Sequence, residues 1–333
     1  MRAFVMTRYG DASAMEMRDV PEPTAGRGEV LIRVHAAGLN PIDYKVRQGA
    51  MRLVHRLDLP QVAGSELSGV VAAVGTGVTR FAVGDRVFAR VDKKKLGAFA
   101  PYAVVHETLV GTMPQSLDFA DAAGLPLAGL TALQALRDEL AVTEGDRVFI
   151  SGGAGGVGTL AIQLAVRMGA QVATTASPRG QELVRSLGAT TVIDYRQQRF
   201  RDVLSDYDGA LDLTGGRDLS DSFAILKRGA RTVSVAGLPQ PANARADFDA
   251  GPLVAAALWA AGARIRHRAG RSGVGYRFLF MHPSGADLDL LAGLVDQGEL
   301  RTVTDRVFPF ERIADAFAHL EQGHAKGKVV VRM

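Results

Sequence analysis

A glycine-rich segment near the middle of the chain constrains its fold more than any other feature. Residues 152–158 read Gly-Gly-Ala-Gly-Gly-Val-Gly and join an apolar run, Arg147–Ile150, to Val157–Met168, where apolar residues recur at helical spacing. Glycines in such a turn let the backbone approach a pyrophosphate, and the free N–H groups that begin a helix favour negative charge. A glycine turn alone is a weak signal, but the flanking strand and helix supply the context that predicts a dinucleotide-binding unit.

Alternating strand and helix patterns continue beyond this turn. The next helix, Pro178–Leu187, has Ser177 as its N-cap and a proline in its first turn. A further helix is expected at Leu219–Leu226. The predicted strands of this region are Arg147–Ile150, Gln171–Thr175, Thr191–Ile193, Gly209–Leu213 and Thr232–Val235. The alternation predicts a parallel sheet with right-handed crossovers.

Both ends of the chain have a different pattern. Short apolar runs separated by Gly and Pro fill the first 120 residues, which predicts a barrel-like, mostly antiparallel β domain. Its expected strands are Val30–Val34, Leu67–Val74, Arg86–Val91 and Tyr102–Val105. In the tail, the expected elements are helices Ala286–Asp296 and Ile313–Gln322 and strands Arg306–Phe308 and Lys328–Arg332. We interpret the tail as rejoining the N-terminal domain.

Length and composition agree with about two globular domains: the chain has 333 residues, of which 47% are apolar and 22% charged. Because there is no Cys, disulfides, thiolate nucleophiles and thiolate metal sites are excluded. We identify no signal peptide. The longest apolar stretch, Leu253–Ala263, is shorter than the ~20 residues that span a bilayer. We therefore expect a soluble, cytoplasmic protein with no membrane partner.

A cluster of arginines stands out against a formal net charge of +4. Arg264, Arg266 and Arg268 alternate along the chain, and Arg271 follows. Alternating residues share one face of a strand, and a basic face can bind nucleic acid. We interpret this cluster as a solvated strand face and expect no nucleic-acid partner.

The residues after the second strand of the dinucleotide unit bear on the choice of cofactor. An NAD site usually has Asp or Glu about 20 residues beyond the glycine turn, where it binds the ribose 2′-hydroxyl. Here the chain reads Ala176-Ser177-Pro178-Arg179, without an acid. Arg179 can pair with a 2′-phosphate and Ser177 can hydrogen-bond to it, although a helix cap and a solvated arginine would give the same residues. We expect NADPH.

Several short motifs together resemble a known family. They are Asn-Pro-Ile-Asp-Tyr at 40–44, Gly-Ser-Glu at 64–66, Ala-Gly-Gly-Val-Gly at 154–158 and Gly-His-Ala-Lys-Gly-Lys-Val-Val at 323–330. The chain resembles the medium-chain dehydrogenase/reductase superfamily, and within it the zinc-free quinone and enone oxidoreductases. The resemblance covers essentially the whole chain. It implies an α/β fold: a Rossmann-type doubly wound parallel sheet, residues 123–267, inserted in a GroES-like (chaperonin-10-like) β-barrel catalytic domain, residues 1–122 and 268–333.

The positions that bind zinc elsewhere in this superfamily are altered. Zinc-dependent members use Cys, His and an acidic or thiolate residue, whereas the matching positions here are Asn40, Ser65 and Glu66. One carboxylate does not make a zinc site. The lobe that holds a structural zinc in those members is replaced by the short segment Val91–Phe99, and no histidines are paired at ligand spacing. We expect no bound metal.

This expectation bears on the reaction. A metal would polarise a simple carbonyl, so a reductase without one favours acceptors that delocalise the added charge themselves, such as an enone or a quinone, with hydrogen-bond donors at the oxygen. Together with the resemblance, this predicts a zinc-independent, NADPH-dependent reductase. It would transfer hydride to the C=C bond of a small enone or to a quinone.

The resemblance also implies catalytic roles for three residues in one loop, which borders the nicotinamide in the family. Lys45 could stabilise the enolate oxygen. Tyr44 could donate a proton, although with a reference pKa near ~10 a relayed water is an equal candidate. Asn40 could hold the substrate carbonyl or the nicotinamide ribose. A packed ring on an exposed loop and a turn-forming Asn before Pro are the structural alternatives.

Further cofactor contacts are carried over by position. Thr131 corresponds to a contact with the nicotinamide ribose and diphosphate, Tyr195 to the adenosine end, and Lys328 to the diphosphate. Thr214 and the segment 236–238 end strands at the crevice of such a sheet. The complete expected set is Thr131, Gly153, Ala154, Gly155, Gly156, Val157, Ser177, Arg179, Tyr195, Thr214, Ala236, Gly237, Leu238 and Lys328.

Two other functions remain open at this point. One is a different enzyme on the same scaffold, such as an enoyl-thioester reductase or a carbonyl-forming dehydrogenase. The other is a non-enzymatic NADPH-binding sensor, since fold does not fix function. The resemblance further implies a homodimer, formed edge to edge through the sixth strand of the cofactor sheet. The alternating arginines could instead protect that edge from pairing.

Overall fold

The computed structural model describes residues 1–50, 52, 56–241 and 251–333. These residues form two compact units. The terminal unit comprises Met1–Leu130 and His282–Met333, and the middle unit comprises Thr131–Met281. The expected junctions, 122/123 and 267/268, lie earlier in the chain, and the second falls inside a helix. Residues from both ends of the sequence thus belong to the terminal unit.

Antiparallel strands dominate the terminal unit. Its strands are β1 (Arg2–Met6), β2 (Met15–Asp19), β3 (Glu29–Leu39), β4 (Gln61–Val62), β5 (Glu66–Val74), β6 (Arg86–Arg90), β7 (Tyr102–His106), β8 (Val110–Thr112), β15 (Thr304–Pro309) and β16 (Lys328–Arg332). One sheet has the order β2-β1-β4; the other has the order β15-β16-β3-β5-β6-β8, with β7 paired to β3. The β15–β16 pair is parallel, and the other described pairs of this unit are antiparallel.

Alternation along the long strand β3 builds the core of this unit. Val30, Ile32 and Val34 are at most 3% exposed, while the residues between them are half-buried or exposed. From β16, Val329 and Val331 enter the same core with no exposed surface. The period of two that predicted the strand Val30–Val34 is therefore the pattern that buries one face of the sheet in this part of β3.

The helices of the terminal unit are mostly short. They are α1 (Pro41–Arg47), α2 (Phe119–Ala123), α3 (Pro126–Gln134), α9 (Gly285–Asp296) and α10 (Ile313–Glu321). Helix α3 crosses the junction at residue 130/131. Helix α1 follows β3 directly, because Asn40 is its N-cap and Pro41 its first residue, where a fixed φ suits the start of a helix.

A six-stranded parallel sheet forms the centre of the middle unit. Its strands are β9 (Arg147–Ile150), β10 (Gln171–Thr175), β11 (Thr191–Ile193), β12 (Tyr207–Asp212), β13 (Leu226–Ser234) and β14 (Gly275–Phe278). Their order is β11-β10-β9-β12-β13-β14. The order reverses between β9 and β12, which creates a crevice at the carboxyl ends of these two strands. This is the doubly wound, Rossmann-type sheet that the sequence predicts.

Helices connect these strands. They are α4 (Gly156–Arg167), α5 (Pro178–Ser186), α6 (Gly216–Ser222), α7 (Pro252–Ala261) and α8 (Ala263–Ser272). Helix α4 buries Leu160, Ala161, Leu164 and Ala165, a spacing that places one apolar face on the sheet. Among the described residues, no helix is both long enough and apolar enough to cross a membrane.

Two local predictions are wrong. The helix expected at Leu219–Leu226 ends at Ser222, and Leu226 already begins β13. The intervening residues form a turn in which the Ala224 N–H donates to the Asp221 carbonyl at 3.0 Å. This turn reverses the direction of the chain after α6, so that β13 can run parallel to β12.

The arginine cluster lies on helix α8 and not on a strand. Ile265 packs against the core and Ala269 is buried in it, four positions apart, and this helical spacing outweighs the alternation of the arginines. Gly273 ends the helix with φ 67°, a left-handed conformation that favours glycine. The edge strand of the sheet is β14, so the arginines do not lie on the strand that they were expected to protect.

Candidate active site

The glycine turn joins β9 to α4 with a spacing that requires glycine. A Cβ at Gly153 would lie 2.2 Å from Thr174 Oγ1, and one at Gly158 would lie 2.5 Å from the Gly152 carbonyl oxygen. Gly155 is the N-cap residue of α4 and has no side chain to accept a capping hydrogen bond. The N–H groups in the first turn of α4 therefore receive no acceptor from the N-cap. A phosphate oxygen can accept from these groups, and the residues therefore fit a dinucleotide.

A buried carboxylate joins the ends of three neighbouring strands. Asp212, the last residue of β12, is 1% exposed. Its Oδ1 accepts from Ser151 Oγ at 3.3 Å, just beyond β9, and from the Gly215 N–H at 2.9 Å. Its Oδ2 accepts from Ser234 Oγ at 2.6 Å, at the end of β13. Asp212 thus fixes the strand ends that border the crevice.

The same network extends into two loops that carry predicted cofactor contacts. Ser234 Oγ accepts from the N–H groups of Ala236 and Gly237 at 3.2 and 2.9 Å. Thr214 Oγ1 donates to Ser151 Oγ at 3.0 Å. The sequence analysis missed Asp212, although an acid directly after the apolar run Gly209–Leu211 was a signal that could have been used.

The end of β10 presents the side chains expected for a 2′-phosphate. Ser177 is the N-cap residue of α5, as predicted, but its side chain makes no capping hydrogen bond. Arg179, in the first turn, is exposed. Of the other predicted contacts, Tyr195 after β11 is 55% exposed, whereas Thr131 in α3 is 4% exposed. A guanidinium and a hydroxyl are therefore close in sequence at the strand end where the adenosine ribose is expected.

A second polar cluster is buried in the terminal unit where α1 begins. Lys328 Nζ donates to Glu66 Oε1 at 2.7 Å, to the Leu39 carbonyl at 3.1 Å and to Asn40 Oδ1. Asn40 Nδ2 donates to the same Glu66 oxygen at 2.8 Å, and the Leu127 N–H donates to the other at 2.6 Å. The side chains of Lys328 and Glu66 are 6% and 0% exposed. The side-chain amide of Asn40 is thus held in one orientation, because its oxygen accepts from the Lys328 ammonium and its nitrogen donates to the Glu66 carboxylate.

Asp43 holds the first turn of α1 beside this cluster. Its Oδ2 accepts from the Asn40 N–H at 2.8 Å, and its Oδ1 accepts from Ser65 Oγ. Burial raises the pKa of Asp43 to about 6, against the opposing effects of these two hydrogen bonds and of the Arg90 charge. Arg90 is also buried and donates to the Ser65 carbonyl at 3.1 Å; its burial lowers its own pKa.

Tyr44 and Lys45, the other two candidate catalytic residues, lie on α1. Tyr44 is half-buried and packs against the core of the terminal unit. Burial, and secondarily the charge of Glu321, raises the pKa of Tyr44, so its phenol is protonated at neutral pH. Arg47 fixes the far end of α1 through hydrogen bonds of 2.9 and 3.1 Å to the two carboxylate oxygens of Glu321 on α10.

The three positions that the resemblance matches to zinc ligands, Asn40, Ser65 and Glu66, are all buried in this part of the terminal unit. Of Asn40, Ser65 and Glu66, only Glu66 offers a charged ligand, and the Lys328 ammonium lies against it. Within the described part of the chain, no group of three or more His, Cys, Asp or Glu residues is arranged to hold a metal. These residues do not fit a zinc ion.

The predicted site residues fall into two groups, one in each unit. Asn40, Tyr44, Lys45 and Lys328 belong to the terminal unit. The predicted members of the middle unit are Thr131, Gly153, Ala154, Gly155, Gly156, Val157, Ser177, Arg179, Tyr195, Thr214, Ala236, Gly237 and Leu238. The structure brings Asn40 and Lys328 into direct contact. Lys328 Nζ has three buried acceptors, all within the terminal unit.

Comparisons with known proteins agree with this architecture. A family model described as "Alcohol dehydrogenase GroES-like domain" matches residues 26–115, and one described as "Zinc-binding dehydrogenase" matches residues 187–331. The NADPH-dependent alkenal/one oxidoreductase (chloroplastic) of Arabidopsis thaliana is 36% identical, over 99% of this chain and 79% of that protein. The quinone oxidoreductase structure from Coxiella burnetii is 32% identical with a TM-score of 0.87, over 100% and 99% of the two chains. The CurK enoyl reductase structure is 26% identical with a TM-score of 0.84, over 100% and 99%.

In this chain a GroES-like unit carries an inserted doubly wound sheet, and the glycine turn lies where the strand order of that sheet reverses. This arrangement defines a two-domain oxidoreductase. The chain belongs to the medium-chain dehydrogenase/reductase family.

Proposed function

We propose that this protein is a zinc-independent, NADPH-dependent reductase that transfers hydride to the C=C bond of a small enone or to a quinone. The observation that carries the proposal is the buried Lys328–Glu66–Asn40 cluster, in which a lysine ammonium lies against the one carboxylate among the residues matched to zinc ligands. The alkenal/one and quinone oxidoreductases that the chain is similar to support the same reaction class.

The middle unit provides the groups that would hold the cofactor. The N–H groups at the start of α4 would bind the diphosphate, and the Asp212 network would keep the loops at Thr214 and Ala236–Leu238 in place. When bound, NADPH supplies a hydride. Arg179 and Ser177 support NADPH over NADH, because a guanidinium pairs with a 2′-phosphate and the carboxylate that would repel it is absent from 176–179.

Two residues of α1 would then act on the acceptor. Hydride addition to the β-carbon of an enone places negative charge on the carbonyl oxygen, and a positioned cation or hydrogen-bond donor lowers the barrier to that step. Lys45 would stabilise this oxygen. Tyr44, whose pKa is raised by burial, is protonated at neutral pH and would act as a proton donor and not as a base. Asn40 would orient α1 from its N-cap position.

A panel of acceptors tests this proposal. NADPH oxidation should be measured with a small enone, a quinone, an enoyl thioester and a saturated aldehyde. We expect turnover of the enone or quinone, none of the aldehyde, and no change on prolonged treatment with a metal chelator. Turnover restricted to the enoyl thioester would establish the carrier-linked alternative, which the likeness to the enoyl reductase structure favours. Tight NADPH binding without turnover of any acceptor would favour a sensor.

We also propose a homodimer formed through the edge strand β14, which is the last strand in the order of the parallel sheet. An unpaired edge can accept a partner strand. Sedimentation analysis that gives the mass of one chain would contradict it.

A cytoplasmic location is proposed on the sequence alone, and cell fractionation checks it.

A further inference from the structure

Helix α7 exposes an unusually apolar surface. All ten of its residues, Pro-Leu-Val-Ala-Ala-Ala-Leu-Trp-Ala-Ala, are apolar, yet only Ala255 is buried. Leu253 is 85% exposed and Trp259 is 62% exposed. A water-facing helix normally carries charged residues on its outer side. A helix that is apolar on all sides and largely uncovered marks a surface that contacts something other than water.

The next helix supplies positive charge beside this surface. Helix α8 begins two residues after α7 ends and contains four arginines and no acidic residue. Arg266 lies over the Trp259 ring, with its Cζ 4.7 Å from the ring centre, and donates to the Trp259 carbonyl at 2.5 Å. Arg264 and Arg271 are exposed. Arg266 therefore joins the basic helix to the apolar one at Trp259.

We propose that α7 and α8 bind to the surface of an anionic phospholipid bilayer. An apolar helix with a Trp at its end lies at the boundary between headgroups and acyl chains, and neighbouring arginines bind lipid phosphates. The sequence-based expectation of no membrane partner rested on the length of this apolar stretch. Ten residues of helix extend only about 15 Å and cannot span a bilayer, but this length suffices to lie along its surface.

Charge complementarity favours lipid over a second copy of the chain. In a twofold interface the same surface meets itself. Because neither α7 nor α8 has an acidic residue, an interface that pairs only these two helices with their copies would offer the arginines no carboxylate partner. Nucleic acid would neutralise the arginines but would leave α7 exposed. An anionic bilayer matches both the apolar and the basic part of the surface.

Trp259 provides a direct measurement, because it is the single Trp of the chain. Its emission should be recorded with vesicles of phosphatidylcholine alone and of phosphatidylcholine with phosphatidylglycerol, and vesicle sedimentation should give the affinity. We expect a blue shift and quenching by brominated lipid with the anionic vesicles, both decreasing as salt is raised. Unchanged emission and protein left in the supernatant would overturn the proposal.

Variants separate the two parts of the surface. We expect Leu253→Ser to abolish the blue shift, and Arg264→Gln and Arg271→Gln each to weaken binding to anionic vesicles by roughly fivefold. Val83→Ser and Arg27→Gln are matched controls, since both residues are exposed in the terminal unit. Far-UV circular dichroism shows that each variant folds. If Trp259 emits at short wavelength without vesicles, and Leu253→Ser converts a dimer to a monomer, a second copy covers this surface and the proposal is wrong. The readouts do not depend on which acceptor is reduced.

Discussion

The Lys328 ammonium lies 2.7 Å from Glu66 Oε1, and the two residues are 262 positions apart in the chain. Neither side chain is more than 6% exposed. Removing one member of such a pair leaves an uncompensated buried charge, which costs far more than the pair itself contributes to stability.

Lys328→Met should therefore destabilise the protein by about 3–5 kcal/mol, measured by urea unfolding. The double variant Lys328→Met/Glu66→Gln should lose less, because the uncompensated carboxylate is gone. Lys95→Met is the matched control: Lys95 pairs with Glu29 at 3.0 Å but is 72% exposed, so its loss should cost less than about 1 kcal/mol. If Lys328→Met and Lys95→Met lower the free energy of unfolding equally, burial of Glu66 does not determine the cost of losing its partner.

Asp212→Asn should weaken NADPH binding by about tenfold and destabilise the protein by about 1–3 kcal/mol. An amide cannot accept from Ser234, Ser151 and the Gly215 N–H together. Titration calorimetry gives the affinity. Asp208→Asn is the control, because Asp208 accepts hydrogen bonds at the opposite end of the same strand. If both variants bind NADPH equally well, Asp212 has no role in positioning the loops.

Arg179→Ala should lower kcat/KM for NADPH by about 10- to 100-fold and leave kcat/KM for NADH nearly unchanged, because only NADPH carries the 2′-phosphate that the guanidinium would bind. Steady-state kinetics with both cofactors provides the ratio. Arg185→Ala, on the same helix but bonded to Gln181, should leave that ratio unaltered. A proportional loss with NADH would assign cofactor specificity to another residue.

The pKa of Asp43 implies a pH-dependent contribution to stability. Burial raises the folded-state pKa from 3.8 to about 6, so the folded protein binds the proton more tightly than the unfolded chain. This contribution is fully present below pH 3.8 and is lost as the pH rises through about 6. In the native protein this effect lowers the free energy of unfolding between these pH values by roughly 3 kcal/mol at most. Asp43→Asn should remove that part of the decrease, because an amide does not titrate in this range. Urea unfolding at several pH values measures it, and parallel curves for both proteins would refute the assignment.

The sequence predicts the fold well where a local pattern determines local structure. Strand β9, before the glycine turn, follows from a short apolar run. Helix α4, after the turn, follows from a spacing of 3.6 residues, and helix α5 follows from its N-cap and first-turn proline. The arginine cluster was misread because the alternation of its charges was weighed above the helical spacing of Ile265 and Ala269. The buried apolar residues determine whether a segment is a helix or a strand, and the exposed charges do not.

The polar clusters were less accessible to sequence analysis. Asn40 and Glu66 are 26 positions apart, and Lys328 joins them from the last strand. No local spacing links these residues, and the predicted role of Lys328 at the diphosphate came from the resemblance alone. Asp212 was missed for a similar reason, since its partners come from three separate strand ends.

Because its cationic partner lies in β16, Glu66 remains uncompensated until that strand is paired with β3. During synthesis, the ribosome completes the middle unit long before it reaches Lys328. The terminal unit therefore cannot reach its stable state before β16 has been synthesised and paired, and a chain truncated before β16 would fold poorly and be degraded by proteases.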